Sequence, residues 1–376
     1  MRIRRTLPIV LAVVSVAAAV TLAVQLRKNA PPEPARLLPG ADGFFYLDLN
    51  AARKMSGSSM LPAVSHDPEY ERFIQETDFQ FERDLDAAAF AIHYPAKWPG
   101  GGTGGPASEP RFSEVFLGKF DGVKLAGYLK QRAQSVESYN SVDIFTIPID
   151  GRTLRVAILG VGVVAASNHD NPDVIRGVVD RSRRLASPFG GPALLRRYYK
   201  RVQFASPAWV VAHIPASEPG VSALSTIFTQ PADLVVSISY NPLRLPLHPG
   251  SLHFRAEALT GSMTDARNAT EKLNTYLALF HSAETSAGSQ ANDPDMKAMF
   301  DSLKVQQEDQ RAVLSATVPP GFLKKLLAEV PEVPASTLSA PTEAPQGETS
   351  PERAKPPKSK PLKNPKSAAA KDNAKP

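Results

Sequence analysis

The sequence predicts an α+β protein built from two tandem related units, each a mainly antiparallel sheet with helices packed on one face. Three observations support this fold class. Short apolar runs with a period of two are typical of strands. Turn signals such as Asp150-Gly151 join neighbouring runs into hairpins, which favours antiparallel pairing. The same order of elements occurs in residues 39–186 and again in residues 187–330. We expect a transmembrane helix before these units and a disordered tail after them.

The first unit is predicted as strand, helix, two strands, helix, hairpin, strand and final helix. The second of its helices should begin after Asp121, which can cap the first free amides. The final helix should begin after Asn171, with Pro172 in its first turn. The segments in order are GFFYLDLNAARK, DPEYERFIQE, DAAAFAIHYP, RFSEVFLGKF, DGVKLAGYLKQRA, VDIFTIPIDGRTLRVAIL, GVVAASN and NPDVIRGVVDRSRRL.

The second unit runs in parallel with the first. We expect its long helix to be capped by Thr264 and its hairpin to turn near Asp309. The segments in order are PAWVVAHIPA, GVSALSTIF, ADLVVSISYNP, SLHFRAEAL, TDARNATEKLNTYLALFHSA, DPDMKAMFDSLKVQQEDQRAVLSATVP and PGFLKKLLAEV. The shared order indicates duplication of one α+β unit. Two separate domains and one merged domain with a continuous sheet both fit it.

Residues 1–28 are predicted to be a signal anchor. Three arginines precede an apolar run of twenty residues, 7–26, which as a helix would span roughly 30 Å. The alternative is a signal peptide cleaved near Ala17 and Ala19. The anchor places the protein in the cytoplasmic membrane as a single-pass protein with most of the chain outside the cytoplasm. Cleavage would make it periplasmic or secreted. Residues 29–38 form a proline-rich spacer, which should be extended.

The positive charge of the chain lies at its two ends. The net charge is +6, yet residues 1–28 carry +5 and residues 353–376 carry +7, which leaves the part between them at −6. Residues 331–376 are rich in proline, lysine and alanine and should be disordered. This tail could contact anionic surfaces or serve only for solubility. It lacks aromatic residues for base stacking, and no specific nucleic-acid binding is expected.

Motifs for catalysis or cofactor binding are not found in the sequence. The chain has no cysteine, which excludes a thiol nucleophile, a disulfide and cysteine-bound zinc. Its seven histidines form no H-E-x-x-H pattern. Ser167–Asn171 contains Ser, His and Asp in succession, but adjacent residues suit a turn and a helix cap better than a catalytic triad. We therefore predict no catalytic residues, no metal ligands and no cofactor.

One basic segment, PALLRRYYKRV, is the candidate interaction site. At helical spacing its apolar residues share one arc, and its cations fill the opposite arc. The inward residues are Leu194, Leu195, Tyr198, Tyr199 and Val202, and the outward cations are Arg196, Arg197, Lys200 and Arg201. This basic face is either a solvated surface between the two units or a docking face for an acidic protein or an anionic envelope polymer.

The anchor, LLPGADGFFYLDLN and EVFLGKFDGVKLAGYL together resemble a type of bacterial membrane-anchored envelope protein with duplicated α+β units and no assigned function. The resemblance covers roughly residues 1–330 and implies a location and a fold class, but no catalytic residues. We therefore expect a non-catalytic, membrane-tethered envelope protein that acts as a binding or structural module. The alternatives are an envelope hydrolase or modifying enzyme with a scattered site, and a polyanion binder acting through the tail. The oligomeric state is left open.

Overall fold

The computed structural model describes residues 30–56, 67–94, 110–149, 151–183, 191–215, 226–240, 251–286 and 294–321. They form a mixed α+β fold around one large antiparallel sheet. The strands are β1 Gly43–Asp48, β2 Leu85–His93, β3 Arg111–Gly118, β4 Ser135–Tyr139, β5 Val142–Ile149, β6 Arg152–Gly160, β7 Val163–Ser167, β8 Ala208–Ile214, β9 Ala232–Tyr240, β10 Leu252–Thr260, β11 Lys304–Glu308 and β12 Arg311–Val318.

Helices of 4 to 24 residues lie before and between these strands. They are α1 Glu33–Leu37, α2 Leu49–Ser56, α3 Pro68–Thr77, α4 Phe81–Asp84, α5 Gly122–Arg132, α6 Asp173–Arg183, α7 Ala193–Tyr198, α8 Met263–Ser286 and α9 Pro294–Ser302, with a 3-10 turn at Tyr199–Arg201 directly after α7.

The sheet is continuous across both halves of the chain. Its strand order is β4-β5-β6-β7-β3-β2-β1-β8-β9-β10-β12-β11, and β1 pairs with β8 from Gly43 opposite Ala212 to Leu47 opposite Ala208. The described strands therefore form the merged sheet, not two separate sheets. In each half three successive strands lie side by side, and a later strand returns next to the third, as β7 does to β3 and β12 to β10.

Helices cover both faces of the sheet, so the prediction of helices on one face was wrong. On the first face, α1, α6 and α7 pack over residues that include Phe44, Val115 and Val211. On the second face, α5 packs over Phe145 and Val156, and α8 packs near Ala258 and Ala312. The physical reason lies in strands such as β7, where Val164, Ala165 and Ala166 are all buried. A strand that is apolar on both sides must be covered on both sides.

The structure confirms most of the predicted helix starts. Asp121 accepts hydrogen bonds from the amides of Val123 and Lys124, and Asn171 accepts one from the amide of Asp173. The predicted Thr264 cap was wrong. Helix α8 begins at Met263, and its cap lies two residues before Thr264, where the Ser262 hydroxyl accepts a hydrogen bond from the amide of Asp265 at 3.1 Å. Serine is as good an N-cap as threonine, so residue preference alone could not separate the two positions.

The spacer also differs from its predicted extended form. Residues 33–37 form α1, and Ala35, Leu37 and Leu38 are fully buried. The Arg181 guanidinium donates to the Leu37 carbonyl at 2.7 Å, which ties α1 to α6. Burial of these apolar side chains outweighs the preference of the surrounding prolines for extended backbone. Strand β4 was missed because its short, mostly exposed sequence has no apolar alternation.

Several expectations concern residues outside the described ranges. These are the apolar run of residues 7–26, most of the segments GVSALSTIF and PGFLKKLLAEV, and the tail at 331–376. Among the helices that the structure does describe, none combines the length and apolar character needed to cross a bilayer.

Gly162 is required by the turn between β6 and β7. Its φ is +71°, and a Cβ at this position would lie 2.6 Å from the Gly118 carbonyl oxygen. We expect Gly162→Ala to lower the free energy of unfolding by about 2–4 kcal/mol, because left-handed backbone strain adds to a backbone clash. Gly151→Ala is the matched control, since φ there is +74° but a Cβ at this position would have no heavy atom within 4 Å among the described residues beyond its chain neighbours. It should cost only about 1 kcal/mol. If urea denaturation gives the same loss of stability for Gly162→Ala and Gly151→Ala, the clash at Gly162 is refuted.

Candidate functional site

The basic segment folds as the short helix α7 and the 3-10 turn on the first face of the sheet. Pro192 precedes the helix, where its fixed φ suits a helix start. Leu195 and Tyr198 are buried in the main core, whereas Arg196, Arg197 and Lys200 are exposed. Tyr198 therefore lies inside and Arg196, Arg197 and Lys200 outside, as predicted, whereas Arg201, predicted to face outward, is only partly exposed.

The four predicted cations differ in their surroundings. Arg197, Lys200 and Arg201 line one cleft, and Arg196 is exposed but is not part of its lining. Arg201 is engaged, because its Nη1 lies 3.4 Å from Glu257 Oε2. The Arg197 guanidinium lies 5.1 Å from the centre of the Tyr198 ring. Arg196, Arg197 and Lys200 form no ion pair with any residue in the described ranges.

The cleft lies between the α7 segment and the strand ends of β8, β9 and β10. Its volume is about 430 Å³. Besides the cations, its walls include His213 at the end of β8, Asp233 at the start of β9 and Thr260 at the end of β10. The Thr260 hydroxyl donates to backbone carbonyls of Ser262 and Gln310 at 2.9 Å. Strands β8, β9 and β10 thus each bring a polar side chain to the wall of this cleft.

Asp233 holds together the polar floor of the cleft. Its Oδ1 lies 2.9 Å from His213 Nδ1, and its Oδ2 accepts a hydrogen bond from the Tyr198 hydroxyl. Burial, followed by the hydrogen bond to Asp233, raises the pKa of Tyr198 to about 12. The phenol therefore stays protonated at physiological pH and remains a donor to the carboxylate.

A buried carboxylate, Glu257, lies behind the basic face. Its side chain is only 8% exposed and contacts Arg255 at 2.8 Å, Arg311 at 3.0 Å and Arg201 at 3.4 Å. Burial alone would raise its pKa, but hydrogen bonds and charges from Arg255 and Arg311 outweigh burial and hold the pKa below its ordinary value. Glu257 thus fixes the position of Arg201 beneath the α7 segment.

His213, Asp233 and Glu257 were not singled out from the sequence. The structure shows why the two acids are at least partly buried. Along β9, Asp233 points to the same face of the sheet as the buried residues Val235 and Ser237. On β10, Glu257 lies directly opposite Val235 of β9 and Val313 of β12, which are both buried. An acid at an inward position of a strand predicts a buried partner, but the partner itself comes from another element.

The residues around Ser167–Asn171 form a second polar cluster, on the first face near β2 and β3. Ser113 Oγ lies 3.0 Å from His93 Nε2 and 2.9 Å from Ser167 Oγ. The rings of His93 and His169 are 4.9 Å apart. Both serines are buried. Among the described residues, no group of three or more His, Asp or Glu side chains could hold a metal ion.

The His93 cluster predicts a pH-dependent stability. Burial, then the neighbouring His169, lowers the pKa of His93 from 6.5 to about 4. The unfolded chain then binds more protons than the folded chain between these pH values, so stability should fall as the pH falls from about 6.5 towards 4. We expect the stability advantage of wild type over His93→Gln to shrink by about 1–2 kcal/mol between pH 7.5 and pH 5, allowing for solvent screening. If urea denaturation gives the same stability difference between wild type and His93→Gln at both pH values, the prediction is wrong.

Comparisons with known proteins find weak structural similarity. No known protein family and no curated protein matches this chain. Among solved structures, crystal form III of TP0453 is similar with a TM-score of 0.40 and 10% sequence identity, covering 79% of this chain and 98% of that chain. Crystal form I of TP0453 has a TM-score of 0.39 and 9% identity, covering 80% and 98%. Likeness at this level supports no inference about function.

Proposed function

We propose that this chain is a non-catalytic, membrane-tethered protein of the cell envelope that binds an anionic envelope polymer through the basic face. Residues 7–26 and the arginines before them support the tether. The single observation that carries the binding role is the set of exposed cations Arg196, Arg197 and Lys200 beside the cleft, which have no ion-pair partner among the described residues. We further propose that the two halves arose by duplication, which the matching pairing order in the sheet supports.

The placement of the cations favours a polymer over an acidic protein. All three lie within five consecutive residues of α7 and the turn, and their exposed side chains lie next to the buried side chains of Leu195 and Tyr198. Closely spaced cations can each contact one of the repeated negative charges of a polymer. Binding then releases counterions from the polymer, which increases the affinity. Protein interfaces instead depend on desolvated aromatic or apolar anchors at their centre.

Capture on beads coated with long-chain polyphosphate tests the binding role. The full detergent-solubilised chain should be retained, and the variant R196Q/R197Q/K200Q should bind at least tenfold more weakly. The matched control K130Q/K297Q/K304Q removes the same number of positive charges, from three exposed lysines outside the basic face, and should bind as wild type does. Unchanged retention of the first variant would refute the proposal. If retention on the beads is lost only after deletion of residues 341–376, the tail is the binding segment instead.

Envelope material provides the second arm of the test. Capture of an acidic protein without any polymer from solubilised envelopes would contradict the choice of partner. Cell fractionation tests the tether. We expect the chain in the membrane pellet after carbonate washing, whereas recovery in the soluble envelope fraction would favour signal-peptide cleavage.

The His213–Asp233 pair favours one other candidate, an envelope hydrolase. A carboxylate that orients a histidine in a cleft is one part of a general-base device. The hydroxyl of Thr260, which also lines the cleft, is already committed to backbone carbonyls, so water would have to be the nucleophile. Turnover of p-nitrophenyl esters or p-nitrophenyl phosphate by wild type, abolished in His213→Gln, would support the hydrolase over the non-catalytic role.

A further inference from the structure

Two arginines on the first face of the sheet are partly buried without a counterion. Arg36 lies in α1 and Arg181 in α6. Nε of Arg36 and Nη2 of Arg181 are almost completely buried and have no hydrogen-bond partner in the described part of the chain. Burial lowers the pKa of Arg181, which indicates that its charge is poorly solvated. An anion that accepts hydrogen bonds from such nitrogens removes the cost of leaving them unpaired, and this favours its binding.

The Arg181 guanidinium is held beside the chain segment that carries Arg36. Its Nε donates to the carbonyl of Leu37, the residue directly after Arg36, at 2.7 Å. Gly177, one turn earlier on α6, leaves room for the guanidinium, since a Cβ there would lie 3.3 Å from Nη1 of Arg181. Gly191 approaches Arg36 in the same way, because a Cβ at position 191 would lie 3.6 Å from Cγ of Arg36. Helices α1 and α6 thus bring the two cations to one place.

The acids close in sequence form no ion pair with these two arginines. Asp180 precedes Arg181, but its carboxylate accepts hydrogen bonds from the Tyr139 hydroxyl at 3.1 Å and from the side chain of the neighbouring asparagine at 2.6 Å. Glu33, three residues before Arg36, is exposed and contacts no cation within the described ranges. Both guanidinium groups therefore keep donors for an external anion.

The chain enters the fold close to Arg36. Pro31 is already buried, five residues after the apolar run ends at residue 26. Because an extended chain spans at most about 3.6 Å per residue, Pro31 lies within about 18 Å of the hydrocarbon core when residues 7–26 are the anchor. Helix α1 follows and is fixed by the buried Ala35 and Leu37. So short a tether exposes the cations of α1 to a high effective concentration of lipid headgroups.

Phosphate oxygens are well suited to this pair of side chains. Guanidinium groups bind phosphate through charge-assisted hydrogen bonds that are stronger than neutral ones. We propose that Arg36 and Arg181 together bind the phosphodiester group of an anionic phospholipid, so that α1 docks on the surface of the membrane that anchors the chain. This proposal rests on the proposed membrane tether, and it is independent of polymer binding by the basic face.

Thermal unfolding of the full chain in a non-ionic detergent tests the site with soluble short-chain lipids. Dihexanoylphosphatidylglycerol at ten times its Kd should raise Tm by about 2 °C, and dihexanoylphosphatidylcholine at the same concentration should raise it by less than half as much. Equal shifts with the two lipids, or no shift, would overturn the proposal. A shift with sodium phosphate as large as with phosphatidylglycerol would show a site for free anions and would overturn the membrane as the source.

Arg36→Met separates binding from folding. The Arg36 side chain makes no hydrogen bond or ion pair with any described residue, so methionine removes a charge but no contact that folding requires. We expect Tm without lipid to stay the same or rise, and the shift with phosphatidylglycerol to disappear. The matched control Arg72→Met removes an exposed arginine of α3 and should keep the shift. A full shift in Arg36→Met would refute the site, and the comparison of lipids in wild type tests it without any variant.

Nanodiscs test whether α1 lies on the membrane. The chain has no cysteine, so Glu33→Cys introduces a single position in α1 for a fluorophore. In discs containing phosphatidylglycerol, a lipid with a spin-labelled headgroup should quench this fluorophore at least twice as strongly as in discs of phosphatidylcholine alone. Adding Arg36→Met should remove the difference. A label at Lys304→Cys on β11, six strands from β2, should show no difference. Equal quenching at position 33 in both kinds of disc would contradict docking.

The outcomes keep this inference apart from the proposed polymer binding. Polyphosphate retention through the basic face, without a response to phosphatidylglycerol, would refute this inference alone. A lipid response that is lost in Arg36→Met, together with polymer retention unaffected by R196Q/R197Q/K200Q, would refute the proposed polymer binding alone. A lipid response lost in R196Q/R197Q/K200Q but kept in Arg36→Met would assign the lipid to the basic face and overturn the assignment to Arg36 and Arg181.

Discussion

Replacing Glu257 by alanine is expected to lower the free energy of unfolding by about 3–5 kcal/mol. The carboxylate is almost completely buried and contacts Arg255, Arg311 and Arg201 within 3.4 Å. Its removal leaves three guanidinium groups close together, of which only Arg255 and Arg311 keep an anion, the more exposed Glu308. Urea denaturation at pH 7 measures the loss directly.

Glu308 supplies the matched control. It pairs with Arg255 and Arg311 as well, but its side chain is 36% exposed. Glu308→Ala should therefore cost no more than about 1 kcal/mol, because solvent can replace the lost partner. If the two variants lose the same stability, Glu257 does not organise the arginines from a buried position.

Replacing Trp209 by alanine is the second large effect, with an expected loss of about 3–5 kcal/mol. Trp209 is 2% exposed on β8. Its ring stacks on Tyr46 of β1 at 5.4 Å and meets the edge of Tyr199 in the 3-10 turn at 5.3 Å. The substitution opens a cavity where the two halves of the sheet join, and it removes a support of the basic face.

Trp209→Phe separates packing from hydrogen bonding. The buried Trp209 Nε1 has no hydrogen-bond partner in the described part of the structure. Phenylalanine therefore loses ring volume but no hydrogen bond, and should cost less than half of the alanine loss. A loss in Trp209→Phe as large as in Trp209→Ala, measured by urea denaturation, would show that the indole nitrogen contributes more than its surroundings indicate.

Local signals predicted many elements of this fold. The hairpin around Gly151 and the caps at Asp121 and Asn171 depend on residues close together in sequence, and the structure confirms them. The pairing of β1 with β8 joins strands more than 150 residues apart. The alternation of apolar residues along a strand does not show which strand of one half pairs with which strand of the other half. The sequence therefore left the choice between separate and merged sheets open.

The candidate site was predicted only in its outer part. The helical spacing of apolar residues in PALLRRYYKRV predicted Arg196, Arg197 and Lys200 outside and Tyr198 inside, because these positions lie close together in sequence. The pairing of Asp233 with His213 joins two neighbouring strands, and the hydroxyl of Tyr198 reaches the same carboxylate from above. Such convergence depends on tertiary packing, and each of these residues alone is compatible with an ordinary core or surface position.

The salt dependence of polyphosphate binding tests the central claim most directly. For single-stranded nucleic acids each neutralised charge contributes about 0.7 to the slope of log K against log salt concentration. If Arg196, Arg197 and Lys200 each neutralise one charge of the polymer, the slope for R196Q/R197Q/K200Q should be shallower by about 2, and that of K130Q/K297Q/K304Q should match wild type. Identical slopes for the three proteins would contradict binding through the basic face.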